Sequence, residues 1–72
     1  MNKKDMMLAR LQIVKGRIEL CVRQFEEAQF GLDNAKSFEE RMYFKGEISK
    51  IGNMLESYIE EQSELLLKLK EW

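Results

Sequence analysis

The chain has 72 residues, with 12 Lys and Arg against 13 Asp and Glu, no His, no Pro and a single Cys. A domain this small buries too little apolar surface to be stable without disulfides, a metal, a partner subunit or unusually regular packing. One Cys excludes an intrachain disulfide, and one Cys without any His excludes a set of zinc ligands. Regular helix packing and association with a partner subunit remain.

The apolar segments are too short for a membrane span or a secretory signal. The longest aliphatic run is Leu65 to Leu67, and Arg10 interrupts the apolar residues that follow the basic start of the sequence. A span needs about 20 apolar residues. With 44% hydrophobic and 35% charged residues, the chain is also too apolar for a disordered tail. We therefore expect a folded cytoplasmic protein that makes no membrane contact.

Apolar residues recur in steps of four and three along the first part of the chain. The stripe consists of Met7, Leu11, Val14, Ile18, Cys21, Phe25, Ala28 and Leu32. This spacing is typical of a helix that keeps one face against a partner helix, as in a coiled coil. It predicts a first helix over about residues 3–31.

A second stripe with the same spacing follows. Its members are Phe44, Ile48, Ile51, Leu55, Tyr58, Gln62, Leu65, Leu69 and Trp72. Gln62 is its one polar member. Because no proline interrupts the segment and helix-forming residues dominate it, the stripe predicts a second helix over about residues 38–71.

Turn-forming residues separate the two stripes and predict a turn at about residues 32–37. Gly31 can adopt the left-handed conformation that often closes a helix. Ser37 followed by Glu40 matches the capping box that opens one. A link this short makes the two helices antiparallel neighbours. The sequence therefore predicts one all-α domain, an antiparallel helical hairpin.

One register of the hairpin matches the stripes residue by residue. When paired residue numbers sum to 69, six stripe pairs face each other. The pairs are Phe25 with Phe44, Cys21 with Ile48, Ile18 with Ile51, Val14 with Leu55, Leu11 with Tyr58, and Met7 with Gln62. The same register places Arg10 near Glu61, where antiparallel helices exchange ion pairs, so two levels of the pattern agree.

The helices carry more apolar residues than a two-helix seam can cover. The surplus lies beside the seam at Met6, Leu8, Ile13, Leu20, Val22, Ile59 and Leu66. Such a width predicts cover by further helices. We expect a homodimer that forms a four-helix bundle. The alternative is a hairpin whose apolar side binds a different protein.

Two further regions are candidates for binding. In the predicted register the end of helix two extends beyond helix one, which leaves Leu69 and Trp72 either as part of the interface or as a frayed end. Aromatic residues also concentrate near the turn. Those off the seam, together with a methionine, are Phe30, Phe38, Met42 and Tyr43. They form either a docking patch or a cap over the end of the bundle.

The sequence offers little for catalysis, and we expect no enzyme, cofactor, metal or small-molecule substrate. His, the usual acid and base near neutral pH, is absent. Cys21 lies on the seam, where a thiol is buried and inert. Glu56, Glu60 and Glu64 form a ladder off the seam that is best interpreted as a solvated face. Three glycines, Gly16, Gly46 and Gly52, are isolated and form no phosphate-binding loop.

The charge distribution supports an alternative function. Residues 1–24 carry six basic and two acidic side chains, whereas residues 25–72 carry six basic and eleven acidic ones. The basic residues of the first helix are Lys3, Lys4, Arg10, Lys15, Arg17 and Arg23. In length, heptad pattern and turn position the chain resembles Rop-like RNA-binding hairpin dimers. The resemblance implies nucleic-acid binding by this helix, although no shared motif assigns contact residues.

The antiparallel register lays these basic residues beside glutamates of helix two, so nucleic acid is not the favoured partner. We expect a small non-catalytic interaction protein, such as an adaptor, inhibitor or regulatory subunit, that acts through an apolar helix face as a homo-oligomer. Small helical hairpins are frequent in bacteria and phages, which makes such an origin our expectation.

Overall fold

The computed structural model describes residues 2–71 and contains two long helices, α1 (Lys3–Asp33) and α2 (Phe38–Lys70). They pack against each other as an antiparallel hairpin about 53 Å long and 14 Å across. The predicted all-α helical hairpin is confirmed. No helix within these residues has the length and apolar character needed to cross a membrane.

Side-chain caps begin both helices. The Asn2 side chain accepts a hydrogen bond from the Asp5 amide at 2.8 Å. The Ser37 hydroxyl accepts one from the Glu40 amide at 3.1 Å, as the capping pattern predicts. The Glu40 carboxylate reaches back one residue beyond the usual capping box and accepts a hydrogen bond from the Lys36 amide. These caps satisfy amide groups that have no partner within the helix.

Helix α1 ends two residues later than predicted, and it does not end on a left-handed glycine. No residue among 2–71 has a positive φ angle, Gly31 included. The helix continues to Asp33, where the Asn34 amide and its side-chain amide both donate to the Phe30 carbonyl. The proposed role of Gly31 as a helix terminator is therefore wrong.

Gly31 is instead a site of close contact between the helices. A Cβ atom at Gly31 would lie 2.8 Å from Cδ1 of Phe44 and closer still to Cε1 and Cζ. The absence of a side chain lets the Phe44 ring rest directly on the backbone of α1. Tyr43 then packs edge-on against Phe44, with ring centroids 5.2 Å apart.

The register differs from the predicted one. Phe44 contacts Gly31, roughly 9 Å nearer the turn than Phe25 at 1.5 Å per residue. Phe25 keeps 36% of its surface exposed. The predicted pair of Phe25 with Phe44 is therefore wrong. The heptad steps permit such an error, because a stripe of apolar residues can meet its partner stripe in more than one register.

The core of the hairpin is small. Among residues 2–71, four side chains are buried: Val14, Cys21, Ala28 and Ile51. Cys21, Ala28 and Ile51 form one cluster against which Ile48, Leu55 and Tyr58 pack. Leu55 is only half-buried in the single chain. So few buried side chains contribute little to the free energy of unfolding of an isolated hairpin.

Candidate interaction surfaces

One side of the hairpin carries the polar side-chain contacts between the two helices, and we call it the ion-pair flank. Here Arg10 of α1 donates two hydrogen bonds to the carboxylate of Glu61. Nε donates to Oε2, and Nη2 donates to Oε1 at 2.9 Å. This is the pair that the sequence predicts. Nearer the turn on the same flank, the Arg17 guanidinium of α1 lies over the Tyr58 ring of α2, at 5.7 Å from the ring centroid. Two basic side chains of α1 are thus engaged within the hairpin.

The Arg10 and Glu61 pair changes the acid–base properties of both groups. The hydrogen bond from the guanidinium, aided by its positive charge, lowers the pKa of Glu61 below its usual value, and partial desolvation opposes this only in part. The same hydrogen bond raises the pKa of Arg10. Both side chains keep more than 30% of their surface exposed, so the pair contributes little to the free energy of unfolding.

The opposite side of the hairpin, which we call the open flank, is left uncovered. In α1 the buried residues Val14, Cys21 and Ala28 recur every seven positions at 0%, 2% and 7% exposure. The other half of the same stripe is less covered, with Leu11 and Ile18 only half-buried. Helix α2 therefore packs mainly against Val14, Cys21 and Ala28 of α1. The larger side chains Leu11 and Ile18 are only partly covered and face the open flank.

Seven exposed apolar side chains lie on the open flank by helical spacing. They are Leu8, Val22, Phe25, Phe38, Met42, Ile59 and Leu66. Beneath them lie the half-buried stripe residues Leu11, Ile18, Ile48 and Leu55. Both helices contribute to this apolar face, which the exposed Lys15 and Lys45 interrupt at positions seven residues from Leu8 and Phe38.

The structure divides the predicted interface residues between the two sides. Leu8, Val22, Ile59 and Leu66 are exposed together on the open flank. Met6, Ile13 and Leu20 are also exposed, but they lie beyond Arg10 and Arg17, on the ion-pair side. Leu69 is half-buried, and Trp72 lies outside the described residues. A single partner helix pair cannot cover both sets at once.

The four residues near the turn are exposed, but helical spacing directs them to different sides. Phe38 and Met42 face the open flank, Tyr43 faces the ion-pair flank against Phe44, and Phe30 points outward from α1. The aromatic residues near the turn therefore do not form a single patch. Phe38 and Met42 extend the apolar face of the open flank toward the turn.

A groove on the ion-pair flank was not evident in the sequence. Its volume is about 470 Å³, and its lining residues are Gln24, Glu27, Ala28, Tyr43, Phe44, Glu47, Lys50, Ile51 and Met54. The floor is apolar and the rim carries two carboxylates and one ammonium group. The small residues Ala28 and Gly31 are the one signal that the helices approach closely here.

The remaining candidate groups show no concentration of reactive side chains. Cys21 is buried, as predicted for a seam thiol. Glu56, Glu60 and Glu64 are exposed on α2. In the part of the chain that is described, no three His, Cys, Asp or Glu residues are placed to hold a metal ion.

The other basic residues of α1 do not line up along one face. Lys3, Lys4, Lys15 and Arg23 are exposed. Their spacing distributes them around the helix axis rather than along a single stripe. A phosphate backbone would therefore meet at most two of them at once.

Comparisons of the chain with protein-family models, with curated proteins and with solved structures found no match.

Proposed function

We propose that this chain is a non-catalytic protein-interaction module that acts through an apolar helix face as a homo-oligomer, most simply a dimer that forms a four-helix bundle. The open flank is the observation that supports this function. Its exposed Leu8, Val22, Ile59 and Leu66 lie above a stripe that the hairpin itself covers only in part. An apolar face of this extent on a small soluble domain is typical of an interface.

The size of the hairpin supports the same interpretation. One face of 53 by 14 Å has a projected area of roughly 740 Å², close to the ~800 Å² that each partner buries in a standard interface. A second hairpin packed on the open flank would bury the half-buried stripe residues Leu11, Ile18, Ile48 and Leu55. The two hairpins would then share one larger apolar core. That addition is what a chain of 72 residues without disulfide or zinc needs for stability.

Nucleic-acid binding has weaker support. Arg10 and Arg17 are engaged with Glu61 and Tyr58. The exposed lysines and Arg23 point in different directions. A protein that follows a phosphate backbone needs several cations on one surface.

Two neighbouring leucines provide a matched test of the proposed function. Leu66 lies on the open flank with 50% exposure, whereas Leu67 points away from both flanks with 62% exposure. Sedimentation equilibrium of the wild type should give twice the chain mass of 8.6 kDa at micromolar concentration. Leu66→Lys should shift the population toward single chains, and Leu67→Lys should leave it unchanged. Equal effects of the two substitutions, or a monomeric wild type, would refute the assignment of this face.

A further inference from the structure

We propose that the groove on the ion-pair flank binds a basic segment of a partner protein, with an arginine side chain of the partner at the carboxylates of the groove. The groove lies on the side of the hairpin opposite the open flank, so this inference goes beyond the proposed self-association and does not depend on it. The supporting observation is a series of arginine contacts along the flank that stops at the groove.

The arginines of this series recur every seven residues of α1, and each contacts a side chain of α2. Arg10 donates two hydrogen bonds to the Glu61 carboxylate, and Arg17 lies over the Tyr58 ring. The next position of the series, one heptad nearer the turn, is Gln24. Gln24 lines the groove and brings no positive charge to it. At this level of the flank α1 therefore provides no guanidinium group to α2.

Two carboxylates line the groove from different helices, Glu27 from α1 and Glu47 from α2. The contact of Gly31 with Phe44 gives the register here and places the two glutamates within about one residue, or ~1.5 Å, of the same level. Within residues 2–71 the structure has a single ion pair, which lies farther from the turn, so neither carboxylate is paired there. A cation in the groove would be attracted by both.

The charge of the groove favours a cationic ligand. Among the described lining residues Lys50 is the one with a positive side chain, and it is exposed and forms no ion pair with either glutamate. Two negative groups thus stand against one positive group. Glu47 is half-buried, which reduces the screening of its charge by water. Charge complementarity of this kind selects a basic segment over an acidic or neutral one.

The aromatic and apolar side chains favour arginine with an apolar neighbour. The Tyr43 ring is 63% exposed and stands edge-on to Phe44 at the groove. A guanidinium group can both stack on an aromatic ring and donate paired hydrogen bonds to a carboxylate. Ile51 and Met54 extend the apolar floor, which an aliphatic side chain next to the arginine would cover. The groove volume of about 470 Å³ is within the ~300–1,000 Å³ of ligand sites.

A pair of short peptides tests the proposed specificity. The probe is a blocked tripeptide with arginine between two leucines, and its control carries citrulline, the neutral isostere of arginine. In HSQC titrations of the ¹⁵N-labelled chain at low ionic strength, the arginine peptide should shift the amide signals of Gln24, Glu47 and Lys50. It should bind roughly three- to tenfold more tightly than the citrulline peptide. Equal affinities, or no shifts at the groove with either peptide, would overturn the proposal.

Two substitutions locate the site, and each has a matched control. Gln24→Arg continues the arginine series of α1, so its own guanidinium would compete for the groove and raise the Kd of the arginine peptide about threefold or more. Glu47→Gln should reduce the preference for arginine over citrulline about two- to fivefold. Gln12→Arg and Glu60→Gln make the same changes at exposed positions away from both flanks and should alter the Kd less than about twofold. Equal effects of Gln24→Arg and Gln12→Arg would attribute the change to net charge and overturn the assignment.

Dilution of the chain without peptide distinguishes a partner segment from a second copy. If a second copy covered the groove, the signals of Gln24 and Glu47 would shift as the chain is diluted, and this result would overturn the proposal. Dilution shifts confined to Leu8 and Val22 on the open flank would support it, because the groove would then stay accessible in the self-associated protein.

Discussion

Replacing Gly31 by Ala tests the packing that sets the register. In an open helical position this change is favourable by about 1 kcal/mol, because alanine has the higher helix propensity. At Gly31 the new methyl group would overlap the Phe44 ring at three carbon atoms. The ring and the helix would have to move apart, and such overpacking costs about 1–3 kcal/mol. We expect the variant to be destabilised by up to about 2 kcal/mol.

The same substitution at Gly46 provides the control. A Cβ atom at Gly46 meets nothing within 4 Å. Gly46 also points away from both flanks, so Gly46→Ala should stabilise the protein by about 0.5–1 kcal/mol. Thermal unfolding at equal protein concentration should therefore place the two variants on opposite sides of wild type. A difference of 1 kcal/mol shifts Tm by about 4–8 °C in a domain of this size.

A second substitution identifies the contact responsible. If Phe44 is the obstacle, Phe44→Leu should reduce the penalty of Gly31→Ala, and the double-mutant cycle should show a coupling energy above about 0.5 kcal/mol. Stabilisation by Gly31→Ala equal to that of Gly46→Ala would refute the close approach of the helices at this point. It would also refute the register that depends on it.

Three further predictions concern the caps and charges. Ser37→Ala removes the hydroxyl that accepts from the Glu40 amide and should lower the free energy of unfolding by about 1 kcal/mol, whereas an unchanged urea midpoint would mean that the cap contributes nothing. Because the folded-state pKa of Glu61 is lowered, its contribution is present above the ordinary glutamate pKa of about 4.3 and is lost as pH falls through the folded value. Glu61→Gln should therefore be less stable than wild type at pH 7, and the difference should shrink as the pH falls below the ordinary glutamate pKa; a difference that is independent of pH would contradict this. Finally, the wild type should elute from heparin at low salt, and strong retention that Lys3→Glu or Lys15→Glu weakens would favour nucleic-acid binding instead.

The sequence predicts the fold because three independent signals agree on it. The two heptad stripes, the Ser37 cap and the pair of Arg10 with Glu61 are each consistent with an antiparallel hairpin, and the structure contains each of them. Periodicity and capping are local properties that depend on few other residues. Such features can be predicted from one sequence.

The register and the division of the surface depend on packing that local patterns do not encode. A stripe of apolar residues fits its partner in more than one register, and the close contact of Gly31 with Phe44 is visible only when the helices are assembled. The stripe also does not predict that α2 would pack mainly against the small residues Cys21 and Ala28 and leave the larger stripe residues of α1 partly exposed. That packing creates the open flank and separates Leu8 and Val22 from Ile13 and Leu20.

The proposed function requires that a second copy of the chain cover the open flank. The most direct test is an isotope-filtered NOE experiment on an equal mixture of ¹³C-labelled and unlabelled chains, which detects only contacts between copies. If the open flank is the interface, intermolecular NOEs should involve the methyl groups of its exposed residues Leu8, Val22, Ile59 and Leu66. Intermolecular NOEs confined to Ile13 and Leu20 on the opposite side, or none at millimolar concentration, would contradict it.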